Sequence, residues 1–132
     1  MRTELWILAA AAVLGLVHLT AASFAFKAQV GNRYTVGPRD QNIQPVGIAG
    51  RLQRAQQNFL ETFSIFAVFV VLVHLTNAHG ALSHWGAILY LAGRILFLPL
   101  YAWGVTWLRT LSWNLATLGL ALVGVQFLLG NT

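Results

Sequence analysis

Apolar residues run almost unbroken through four stretches of this chain. They extend from Leu5 to Phe26, Phe59 to Leu75, Leu82 to Trp103 and Leu111 to Leu129. A helix needs about 20 apolar residues to cross the hydrocarbon core of a bilayer. The first, third and fourth stretches meet that need directly. The second meets it only if Ile48 to Asn58 joins the same helix, which predicts one long helix from about Val46 to Thr76 with charged first turns. Composition agrees, since 58% of the 132 residues are hydrophobic and only 8% are charged. Soluble domains carry about 25% charged residues, and a soluble fold this small could not hide so much apolar surface. The predicted fold is all-α: an integral membrane four-helix bundle, one domain over residues 1–132.

The first stretch is read as a retained span. Ala21, Ala22 and Ser23 have the small side chains of a signal cleavage site, but the apolar run exceeds the roughly 7–15 residues of a signal peptide. The link from Lys27 to Pro45 mixes glycine and proline with polar residues, as an ordered loop outside the hydrocarbon does. Asn77–Ala81 and Gly104–Thr110 are short links that imply antiparallel neighbours. The first loop carries Lys27, Arg33 and Arg39, and the third carries Arg109, whereas the second has no Lys or Arg. Loops one and three are therefore expected in the cytoplasm and both termini opposite. The net charge of +5 is accounted for by these membrane-edge cations and does not point to nucleic acid. With no cysteine, thiol chemistry would have to come from a ligand.

The second helix carries the chemistry. Arg51, Arg54, Asn58 and Glu61 are spaced by three, four and three residues, which places them on one helix face. Glu61 and Arg94 each lie about ten residues from the cytoplasmic end, roughly 15 Å deep. An ionisable group at such depth normally faces the bundle interior and a partner, so a Glu61–Arg94 pair is expected, within one subunit or between two. Arg94, Phe97 and Tyr101 share a face of the third helix. A single buried pair would serve as structural glue. The stripe has more arginine than one glutamate answers, which favours an incoming anion, and arginine forks match carboxylates. Arg51 and Arg94 join Arg54 as cations for such a ligand.

The run R-x-x-R-A-x-x-N-x-x-E, followed by L-Y-L-A-G-R-I-L-F-L-P-L-Y-A in the third helix, resembles the MAPEG family, the membrane-associated proteins in eicosanoid and glutathione metabolism. The resemblance covers the whole chain, and its specific residues lie in helices two and three. It implies a homotrimer of four-helix subunits with glutathione, as co-substrate, held between neighbours near the cytoplasmic side. By position it implies that Arg54, Gln56, Asn58, Glu61 and Tyr101 contact glutathione. It further implies that Arg109 stabilises the thiolate and that Arg33 contacts the tripeptide from the first loop. Two positions depart from the leukotriene branch, which has tyrosine where this chain has Thr62 and Phe97. The expected activity is glutathione-dependent transfer or peroxide reduction on lipophilic molecules dissolved in the membrane. Two alternatives stand beside it: a non-catalytic lipid-binding member of the same fold, and a small transporter exchanging protons at Glu61.

The remaining polar residues read more simply. His79 and His84, five apart, do not share a helical face, so no metal site is expected there. His18 and His74 sit in apolar surroundings and are expected to bond to neighbouring backbone. Trp6 and Trp85 near one face, and Trp103, Trp107 and Trp113 near the other, form an aromatic belt at the headgroups. Pro99 is expected to bend the third helix.

Overall fold

A computed structural model describes residues 2–130 of the chain. Its elements are α1 (Thr3–Val30), α2 (Asn32–Val36), α3 (Gly47–Leu75), α4 (Ala81–Ala102) and α5 (Thr106–Leu129). The described residues contain helices and turns only, and α1, α3, α4 and α5 are each long and apolar enough to cross a membrane. The chain is thus a multi-pass integral membrane protein built as a four-helix bundle. The long charged-start helix predicted over Val46 to Thr76 is α3. The fourth span starts earlier than its apolar run, at Thr106 rather than Leu111. Polar residues at a membrane edge do not stop a helix, because the backbone keeps satisfying its own hydrogen bonds.

The two short links close by the same device. After α4, Gly104 takes φ +73°, its N–H bonding to the Tyr101 carbonyl, while the Val105 N–H bonds to the Leu100 carbonyl. After α3, Asn77 takes φ +54° and bonds to the His74 carbonyl, while the Ala78 N–H reaches Val73. This paired pattern is the Schellman ending, and it favours Gly or Asn at the left-handed position. The long first link is also ordered. The Tyr34 hydroxyl accepts from the Ile43 N–H at 2.7 Å and donates to the Arg39 carbonyl at 3.3 Å. The Gln29 amide donates to the Gln44 carbonyl and accepts from the Val46 N–H. These bonds tie the end of α1 to the entry of α3.

Helices α4 and α5 pack most closely. A Cβ at Gly86 would lie 2.6 Å from the Gly119 carbonyl oxygen, and one at Gly93 would lie 2.8 Å from the Ala116 nitrogen. Small residues let membrane helices approach to backbone contact, where dispersion replaces the missing hydrophobic drive. Phe66, Val70 and Val73 of α3, Ala11 of α1, Ala87 and Tyr90 of α4, and Ala116 and Val123 of α5 form the core. Tyr90 stacks on Phe66 at 4.1 Å. At the end away from loops one and three, Glu4 of α1 meets His79 at 2.6 Å and accepts from the Ser83 hydroxyl at 3.2 Å. Gly80 packs against the Gln126 amide. Helices α1, α4 and α5 and the link that precedes α4 are thereby fastened at that end.

Candidate functional site

The polar stripe of α3 meets α4 at the end carrying loops one and three. Arg94 is fully buried, and its Nη1 donates to Asn58 Oδ1 at 2.8 Å. Its guanidinium lies 4.1 Å from the centre of the Phe97 ring and 5.4 Å from that of Phe59. Cation–π contacts of this kind soften the cost of burying the charge. The Glu61–Arg94 pair expected from matching depth does not form within the chain. Asn58 lies one turn nearer the helix start, projects toward α4 and accepts the Arg94 hydrogen bond, while Glu61 is exposed on the outer surface of α3. Guanidinium only donates, so Asn58 must turn its carbonyl oxygen inward. Its NH2 group is left for another acceptor.

Closer to the mouth, three more arginines gather at the last turn of α4. Arg51 Nε donates to the Ala102 carbonyl at 2.8 Å, answering one of the carbonyls a helix end leaves free and adding a cation to its negative pole. Arg54 Nε donates to the Tyr101 hydroxyl at 3.3 Å. Arg109, from the first turn of α5, places its guanidinium carbon 4.6 Å from the centre of the Tyr101 ring. Tyr101 also leans on Phe97, with ring centres 5.3 Å apart. The only ion pair among the described residues is Glu4–His79, at the other end of the bundle. The cation cluster therefore has no acidic partner in the described chain.

Gln56 and Arg33 lie elsewhere. With about 100° between successive residues, Gln53 and Gln56 point away from the Arg54–Asn58–Glu61 face. They line a separate cavity of about 530 Å³ between α1, the first loop and α3, together with Lys27, Tyr34, Arg39 and Asn42. Arg33 is exposed on α2 and is not among the residues lining that cavity. One chain thus brings Arg51, Arg54, Asn58, Arg94, Tyr101 and Arg109 into one group. It leaves Glu61 at the surface and Gln56 around the helix.

Four residues have structural parts that the sequence alone does not assign. Thr62 contacts the Tyr90 hydroxyl at 3.0 Å and donates to the Phe59 carbonyl at 3.1 Å, so its hydroxyl is committed inside the bundle. Tyr90 had a signal, since it lies four residues before Arg94 on the same face of α4. Lys27 and Arg39 carry only a topology signal in the sequence, and nothing local marks them as cavity residues. The loop fold brings them there, with Arg39 held by the Thr35 carbonyl at 2.9 and 3.1 Å.

No curated protein matches the chain at a significant level. The MAPEG family model matches residues 3–129, nearly the whole length, and the chain belongs to the MAPEG family.

Proposed function

We propose that this protein is a glutathione-dependent membrane enzyme that conjugates the thiol to lipophilic electrophiles or uses it to reduce lipophilic peroxides. The observation that carries the reading is the group of Arg51, Arg54 and Arg109 around the last turn of α4, with no acidic side chain to answer it. A ligand with two carboxylates, one amine and a thiol suits this donor set. Arg54 and Arg51 hold a carboxylate, the Asn58 NH2 group donates to a carboxylate or carbonyl oxygen, and Glu61 takes the ammonium. Tyr101 lies under the cysteinyl part, and Arg109 favours the thiolate, the reactive form of the thiol. In conjugation the thiolate sulfur forms a bond to the electrophilic carbon as the leaving group departs with its electron pair. No protein nucleophile is needed, in keeping with a chain that has no cysteine.

The assembly in this reading is a homotrimer with the ligand between copies. Glu61 is exposed, and Gln56, Lys27 and Arg39 open on another side of the same chain. A neighbouring copy supplies that second wall to the arginine group of the first. The lipophilic partner enters sideways from the membrane, and loops one and three face the cytoplasm. Calorimetric titration of the purified protein with glutathione, followed by a conjugation assay with an aryl halide, tests the proposal. Binding with turnover supports it, and absence of binding overturns it. Binding without turnover favours a non-catalytic lipid-binding role. The inward commitment of Thr62 and the apolar Phe97, at two positions that carry tyrosine in the leukotriene branch, favour that second reading.

A further inference from the structure

Two side chains in the middle of the bundle are buried with polar atoms that no protein group answers. His18 of α1 has both ring nitrogens without a partner, and Arg94 of α4 has Nε and Nη2 without one. Both are enclosed, His18 at 1% exposure and Arg94 at 0%. One ring joins them. His18 stacks on Phe59 with centres 4.7 Å apart and planes 20° from parallel, and the Arg94 guanidinium lies 5.4 Å from the centre of the same ring. Gly15 makes room for Phe59 beside His18, since a Cβ there would lie 3.1 Å from the ring.

A buried N–H with no acceptor is costly, and Arg94 has such groups while it can only donate. A neutral imidazole offers one lone pair and one N–H. Water resolves both needs, accepting from the guanidinium and donating to the imidazole. Buried waters characteristically bond to polar groups that would otherwise go unanswered.

We propose that ordered water bridges His18 to Arg94 around the edge of Phe59, making His18 a positioning residue for the Arg94–Asn58 pair. The bridge holds the guanidinium so that Nη1 meets Asn58 Oδ1, and that bond turns the Asn58 NH2 group toward the ligand side. The consequence for glutathione rests on the function proposed above. The bridge itself does not.

The test uses the full-length protein in detergent, labelled with 15N at its four histidines and at its asparagine side chains. His18→Phe keeps an aromatic ring to stack on Phe59 and removes both nitrogens, which also assigns the His18 signals by subtraction. In Arg94→Met the His18 nitrogen resonances are expected to move while those of His74, His79 and His84 hold. Arg94→Lys, which keeps a charge but moves the donors, gives the same reading should the methionine variant misfold. Unmoved His18 resonances overturn the bridge. In His18→Phe the Asn58 side-chain amide resonance is expected to shift, and an unchanged resonance overturns the positioning role. With glutathione, His18→Phe is expected to raise the dissociation constant about three- to tenfold, the effect of one lost hydrogen bond. The turnover number at saturation should change by less than about twofold, because no reacting atom is touched. An unchanged dissociation constant also overturns the positioning role. Should the wild-type protein bind no glutathione, the proposed function fails, and the two resonance measurements still decide the bridge.

Discussion

Arg94 and Glu61 sit at similar depths on neighbouring helices, yet they do not meet, and the partner each lacks decides what its removal does. Arg94 is enclosed and holds Asn58, while Glu61 is exposed on the surface of the chain. Asn58→Ala is therefore expected to destabilise the protein by about 1–3 kcal/mol, the usual effect of stripping a buried donor of its acceptor. Glu61→Ala should cost less, because it leaves no group buried inside the chain without its partner. Thermal unfolding of the two variants in detergent checks the order, and a larger loss for Glu61→Ala would mean that Glu61 is paired across a contact between copies. Arg109 carries a chemical prediction. A free thiol titrates near 8.5, and a fixed cation in a low-dielectric site lowers that value. Bound glutathione should show thiolate absorbance at lower pH than free glutathione, and Arg109→Ala should move the titration back up. A variant that binds glutathione with an unshifted titration removes Arg109 from the activating role.

The close approach of α4 and α5 is a property of whole helices, set by glycines that nothing larger can replace. Gly86 faces the Gly119 backbone, and Gly93 faces Ala116. Gly86→Leu must push the helices apart and lose contact along the seam, so its melting temperature should fall further than that of Gly31→Ala, where a Cβ meets open space and the cost is the backbone strain of φ +88° alone. Comparable losses would mean that the seam does not govern stability. The turn after α4 makes a finer case. Gly104 at φ +73° forms the Schellman ending beside Tyr101 and Arg51. Gly104→Ala places a Cβ in the left-handed region, where it costs about 1–2 kcal/mol. That strain falls on the turn that sets Tyr101 against Arg109, so the variant should lose glutathione affinity as well as stability.

The charge asymmetry of the loops makes a prediction for the whole molecule. Cysteines placed at Asn32 and Val36 should be labelled from the cytoplasm, and one at Ala81 from the opposite side. The chain has no native cysteine to confuse the result. Labelling of all three from one side contradicts four spans. Assembly is tested by chemical cross-linking in the membrane, where products of this 14.5 kDa chain should end at three copies. The α3 faces supply the physical reason for the proposed trimer, since Gln56 and the first-loop cavity open away from the arginine group. A ladder ending at one would leave the site with one wall.

Much of this was legible along the chain. Four apolar runs admit only membrane helices, because a bilayer has no water to satisfy an open backbone, and the charged entry of α3 was readable from its spacing. The grouping of Arg51, Arg54 and Asn58 followed from helical periodicity, which acts over a few residues and needs no tertiary information. Partner choice did not follow. Spacing gives the depth of Glu61 and Arg94 but not the rotation of one helix against the other, and that rotation delivers Arg94 to Asn58. The same holds for Thr62 with Tyr90, for His18 on Phe59, and for Lys27 and Arg39 at the first-loop cavity. These contacts depend on how α1, α3 and α4 are rotated against one another and how the first loop folds back on Tyr34. Only the packed bundle sets those angles.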